Sequence, residues 1–167
     1  MTADERIEKA VALFKEGYNC SQSVAMAFAD LYGISEEQMS MIAASFGGGI
    51  GRMRETCGAA CGMFLLCGLE TPPEGMKYPS AELKRLNYEV VQRLAARFKE
   101  ENGALLCKEL LGLGRQGAKE TTEMTQPTPE ARTETYYKKR PCVRIVETAA
   151  RIYAQHLEEK QVSSIGR

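Results

Sequence analysis

Every periodic stretch of this sequence repeats at the α-helical interval, and none alternates as a half-buried strand would. Ile7, Ala10, Val11 and Phe14 recur at i, i+3, i+4 and i+7, which puts them on one stripe of a helix. Cys20, Val24, Ala27, Phe28 and Leu31 form a second stripe, expected to run to Gly33. Leu83, Leu86, Val90, Leu94 and Phe98 form a longer one over about 80–101, and Cys142, Ile145, Val146, Ala149, Ile152 and Tyr153 the last. The punctuation agrees. Thr2 with Glu5 and Ser35 with Gln38 have capping-box spacing, Asn19 stands where an N-cap would, and Gly17, Gly33 and Gly103 are natural stops. Pro141 suits the first position of the final helix.

Two shorter helices complete the reading, one from about Thr56 carrying Cys57, Ala60, Cys61, Phe64 and Leu65, the other around 105–111 holding Cys107. A chain of 167 residues has room for one domain with a real core. The expectation is an all-α, single-domain bundle of about five to seven helices spanning 1–167. Residues 112–137 are polar, contain Pro127 and Pro129, and show no period; they read as a flexible loop or lid.

Charge narrows the function. Lys plus Arg number 22 and Asp plus Glu 22, so no bulk positive field is available to hold nucleic acid or an anionic membrane. No apolar run approaches the roughly 20 residues of a membrane helix, so membrane insertion is not expected. The start, Met1 to Glu5, is polar and acidic, unlike a signal or transit peptide, and the expected location is cytoplasmic.

Cysteine is the unusual component. There are six, Cys20, Cys57, Cys61, Cys67, Cys107 and Cys142, beside one His and no Trp. In a reducing cytosol such residues serve catalysis, redox chemistry or metal binding rather than permanent cross-linking. Cys20, Cys57, Cys107 and Cys142 each fall in the first turn or so of a different expected helix. Unpaired backbone N–H groups and the positive end of the helix dipole there favour thiolate over thiol. Arg52 and Arg54 precede Cys57, and Lys138, Lys139 and Arg140 precede Cys142, so both of these thiols are expected to be acidic. The alternative for Cys20, Cys107 and Cys142, which lie on apolar stripes, is a small buried hydrophobe. Cys61 lies one turn below Cys57, and Cys67 falls off that face into the core.

The run Gly47-Gly48-Gly49-Ile50-Gly51 follows a helix rather than a strand and has neither GxGxxG nor a Walker lysine, which argues against a nucleotide loop. It suits a turn, a close helix approach, or a nest of N–H groups facing the Cys57 sulfur or an anion. No CxxC pair is present, so common zinc spacings are missing; four dispersed cysteines could still hold zinc or an iron–sulfur cluster. His156 reads as a surface or partly buried helix residue.

The run from Phe46 to Met53 leading into Cys57-Gly58-Ala59-Ala60-Cys61-Gly62 resembles the C_GCAxxG_C_C family, whose members are described as putative redox-active proteins. The CGAxxG motif falls on Cys57 to Gly62, and the outlying family cysteines on Cys20, Cys107 and Cys142. The resemblance covers roughly residues 4–155. It implies a small, mostly prokaryotic protein with redox-active cysteines; some members are selenoproteins and many genes lie near transporters. It brings no substrate, cofactor or electron donor. Cys61 and Cys67 stand outside the family pattern.

The leading expectation is a thiol redox protein in which Cys57 attacks a disulfide, peroxide or other oxidised sulfur and Cys20, Cys107 or Cys142 resolves the mixed disulfide. A metal- or iron–sulfur-binding protein ligated by the same four cysteines is the first alternative, and a helical adaptor the second. The partner classes left open are a small thiol, a disulfide or a metal ligand, a transporter-associated protein, and a second copy of the chain.

Overall fold

The computed structural model describes residues 1–113 and 125–165. Among the described residues there are eight α-helices, slightly more than expected, and no strand. They are α1 Ala3–Lys15, α2 Cys20–Met26, α3 Glu36–Ala43, α4 Gly58–Leu69, α5 Ala81–Asn102, α6 Cys107–Leu110, α7 Glu134–Lys139 and α8 Cys142–Ile165.

The starts were legible because side chains make them. Thr2 and Glu5, Asn19 and Gln22, and Ser35 and Gln38 each form a reciprocal capping box, satisfying backbone N–H groups that the first turn leaves without partners. Ser80 caps α5 through the Leu83 N–H, and Gly103 ends it in the left-handed region at φ 88°.

The helix begun at Cys20 does not continue to Gly33. It stops at Met26 and resumes as a 3₁₀ turn over Ala29–Tyr32. Buried Arg6 sits at the break: its Nη1 donates to the Ala27 carbonyl at 2.9 Å, and the guanidinium is bidentate to Asp30 at 2.6 and 2.9 Å. The hydrogen bond from Arg6 holds the Asp30 carboxyl below its ordinary value.

The core fills the space where α1 packs along α8 and α2 along α4, with α5 closing against α4 and α8. Phe14, Phe28, Met39, Met63, Leu66, Leu94, Phe98, Ile152 and Tyr153 are fully buried in it. Gly62 sets how closely α2 and α4 approach, since a Cβ there would lie 2.6 Å from the Ser21 carbonyl oxygen. Gly58, one turn earlier, faces the Phe46 carbonyl oxygen at 2.7 Å and the Cys20 Cβ at 3.2 Å on the same construction. The two glycines of the motif thus let α4 lie against the backbone that carries Cys20.

His156 departs from the surface or partly buried position expected of it. It is completely buried, with Nε2 on Glu70 at 2.7 Å and Arg93 donating to Nδ1 at 3.0 Å. The imidazole proton therefore sits on Nε2 and goes to the carboxylate. Lys160 also donates to Glu70. Burial opposes the Glu70 charge, but the hydrogen bonds from His156 and Lys160 outweigh it and lower the carboxyl.

Helix α7 lies partly within the stretch read as loop or lid, of which residues 114–124 fall outside the described residues. Thr133 caps it through the Tyr136 N–H. Its helix was missed because six residues hold too little periodicity to register; the adjacent Tyr136 and Tyr137 pack on the core, Tyr137 edge-on to Phe14 with centroids 6.0 Å apart.

Candidate functional site

Cys20 is the first residue of α2, Cys107 of α6 and Cys142 of α8, while Cys57 is the N-cap of α4. All four line one cavity of about 20 Å³, together with Gly48, Gly49, Gly58, Leu110, Leu111 and Ile145. Two local devices bring these helix starts together. Segments 54–57 and 105–108 pair through Cys57 N–H to the Leu105 carbonyl (2.9 Å), Cys107 N–H to Glu55 (2.6 Å) and Lys108 N–H to Arg54 (3.1 Å), around an isolated antiparallel bridge between Thr56 and Leu106. Gly49 supplies the second: a Cβ on it would lie 2.6 Å from the Cys107 Cβ.

The loop from Gly47 to Glu55 closes on itself. N–H groups of Ile50, Gly51, Arg52, Arg54 and Glu55 donate to the carbonyls of Phe46, Ser45, Gly47, Gly48 and Gly49 respectively. Those groups are spent within the loop, so they do not form a nest around the Cys57 sulfur. Ile50, Arg52 and Arg54 all hold positive φ, at 60°, 62° and 63°. For residues with a Cβ this costs about 1–2 kcal/mol each, and the closing hydrogen bonds offset it. The same geometry puts Arg52 and Arg54 on the wall of a larger, open pocket.

Burial separates the four thiols. Cys57 and Cys107 are buried, whereas Cys20 and Cys142 are partly exposed. Burial pushes the Cys57 thiol up to about 12, although the N–H groups of Ala59 and Ala60 favour its thiolate. The helix-start effect is present there and desolvation overwhelms it, which corrects the expectation of an acidic Cys57. Burial also raises Cys107, against a contact from Arg54 Nη1 at 3.8 Å. Cys142 behaves as expected: a hydrogen bond from Cys20 lowers it, and Arg140, Arg132 and Arg54 assist against the cost of burial. Cys20 moves the other way, raised by that hydrogen bond and by burial. The two thiols titrate together, with Cys142 the more acidic partner.

Cys61 and Cys67 stay outside the cavity. Their thiols donate to the carbonyls of Thr56 at 3.7 Å and Met63 at 3.3 Å, and burial raises them to about 11 and about 12. Among the described residues no group of three or more His, Cys, Asp or Glu is arranged to hold a metal ion.

The open pocket measures about 610 Å³ and contains Cys20, Cys107 and Cys142 with Arg52, Arg54, Arg132 and Arg140. Arg132, Tyr136 and Glu130 come from the polar stretch and were not singled out in the sequence. No periodicity marks them; the only signal was the recurrence of arginine on the approach to Cys142. Arg132 lies over Phe14 at 4.4 Å and over Tyr136 at 4.9 Å from the ring centroids. Arg52 donates to the carbonyls of Gln126 and Thr128, tying that stretch across the pocket.

The family model described as putative redox-active protein (C_GCAxxG_C_C) matches residues 18–156. The chain belongs to that C_GCAxxG_C_C family. No curated protein and no solved structure matches it. The run Cys57-Gly58-Ala59-Ala60-Cys61-Gly62 supplies the Cys57 N-cap and the two glycines that seat α4 against α2. Among the described residues no helix is long and apolar enough to cross a membrane.

Proposed function

We propose that this chain is a cytoplasmic thiol redox protein whose working dithiol is Cys142 with Cys20. The observation that carries this reading is that Cys20 and Cys142, the two partly exposed cysteines of the four, line one open pocket beside Arg132 and Arg140. Cys142 replaces Cys57 as the attacking residue, because a thiol raised to about 12 is almost wholly protonated near neutral pH.

The Cys142 thiolate attacks one sulfur of a substrate disulfide. The S–S bond breaks, one substrate thiolate leaves with the bonding pair, and a mixed disulfide forms on Cys142. Once Cys142 is uncharged, the Cys20 proton loses its acceptor and passes to a leaving thiolate. Cys20 then attacks the Cys142 sulfur, and the second substrate sulfur leaves as a thiolate that takes a proton from water. The substrate has gained two electrons and the protein holds a Cys20–Cys142 disulfide, which a cellular dithiol reduces to restart the cycle. Cys107 lines both the open pocket and the small cavity, and Cys57 only the small cavity.

Mild oxidation of the reduced protein followed by peptide mapping tests the reading. The expected product is about 2 Da lighter, with Cys20 joined to Cys142, and C20S should arrest at a mixed disulfide on Cys142. Oxidation confined to other pairs, or equal alkylation of all four cysteines, would overturn it. One observation favours a second reading, ligation of a soft metal ion: four sulfurs line the same cavity. A native mass excess lost on unfolding, and absent in the four serine variants, would favour that reading instead.

A further inference from the structure

Charge in the open pocket is lopsided. Among the described residues its lining includes Arg52, Arg54, Arg132 and Arg140, and Glu130 is the one acidic residue. Glu130 is engaged by Arg140 and lies 3.8 Å from Arg52. Arginines thus outnumber acidic side chains among the described residues of this lining. This happens in a chain whose acidic and basic residues balance overall, so the concentration is local rather than compositional.

The guanidinium groups are held in place. Arg52 and Arg54 are aimed by a positive-φ backbone, Arg132 is fixed over two aromatic rings, and Arg140 lies 5.4 Å from the Tyr136 ring centroid. Arg132 Nη2 donates to the Tyr18 carbonyl at 3.4 Å, whereas its Nη1 is buried without a hydrogen-bond partner. A buried donor left unsatisfied is destabilising, and an anionic oxygen is the group that would satisfy it. The volume of about 610 Å³ lies in the range of sites for small organic ligands.

Resting on the thiol reading above, we infer that the pocket selects a low-molecular-weight disulfide bearing carboxylate or other anionic groups, held by Arg132, Arg140 and Arg52 with its S–S bond over Cys142. The same cations stabilise the thiolate that leaves in the first exchange. Glu130 acts as an internal competitor, occupying part of the guanidinium surface when no substrate is bound.

Two chromogenic disulfides test this on the reduced full chain: the dianionic 5,5′-dithiobis(2-nitrobenzoate) and the neutral 2,2′-dithiodipyridine. The readout is the ratio of their second-order rate constants, divided by the same ratio for a small free thiol. Both reagents meet the same thiolate, so a change in Cys142 acidity cancels in the ratio. We expect a normalised ratio of about ten or more at low ionic strength, within the range of electrostatic enhancement in a charged cleft, falling as salt is raised. R132Q and R140Q should each lower it several-fold, and E130Q should raise it. A ratio near one, or one unmoved in both arginine variants, overturns the anionic preference while rapid reaction with the neutral reagent leaves the thiol reading standing. Inertness of Cys142 to both reagents overturns both.

Discussion

Cys20, the first residue of α2, and Cys142, the first residue of α8, line the same small cavity and the same open pocket. The Cys20 thiol and the guanidinium groups of Arg140, Arg132 and Arg54 lower the Cys142 thiol against the cost of burial. An alkylation-rate profile against pH should therefore place the Cys142 midpoint below that of an ordinary thiol, about 8.5, with mass mapping locating the fast adduct on Cys142. C20A removes the donor and should shift the midpoint upward. C20S keeps a hydroxyl donor and should retain most of the effect. An unshifted midpoint in both variants would mean that the arginines, not Cys20, hold the thiolate.

Cys57 makes the opposite prediction although it carries the family motif. It caps α4 and faces two backbone N–H groups, but the desolvation of its thiolate dominates. In the native protein its alkylation should be slower than that of Cys142 by at least about tenfold at pH 7, and the gap should close in denaturant. Comparable native rates at Cys57 and Cys142 would refute the assignment of Cys142 as nucleophile.

The helix starts were legible in the sequence because Thr2, Asn19 and Ser35 announce them chemically, and the four cysteines were legible as a set because each stands beside such a start. Their unequal burial was not. Whether a helix N-terminus meets solvent or another helix depends on packing between α2, α4 and α8, and the stripe positions of Cys20, Cys57 and Cys142 look alike in one dimension. The same limit hid Arg132 and Tyr136. They act through a tertiary stack on Phe14, more than a hundred residues away in the chain, and the polar stretch around them carries no period to reveal it.

Gly62 tests the packing that assembles the site. G62A places a methyl group 2.6 Å from the Ser21 carbonyl oxygen, where backbone rather than a flexible side chain must yield. The expected loss is about 1–3 kcal/mol, read as a lower urea midpoint with an unchanged slope. G68A is the control, because nothing lies within 4 Å of a Cβ at that exposed helical position. It should be neutral or slightly stabilising, since alanine is the better helix former. Equal stability of the two variants would show that α2 and α4 do not meet as closely as the structure has them.

Glu70 gives the fold an acid-sensitive latch at the other end of α4. Its carboxyl is nine-tenths buried, and the hydrogen bonds from His156 and Lys160 depress it against the cost of burial. A depressed carboxyl stabilises the native state at pH values above its unfolded value, about 4.3, and that contribution is lost as the pH falls through the lower folded value. E70Q lacks this dependence. At pH 7 the native sequence should exceed E70Q by about 1–3 kcal/mol, the range for hydrogen bonds to a charged group. The difference should shrink as the pH falls from 5 to 3. Urea midpoints of both proteins across that range decide it: a gap that stays constant would place the latch's contribution in packing rather than in the carboxylate charge.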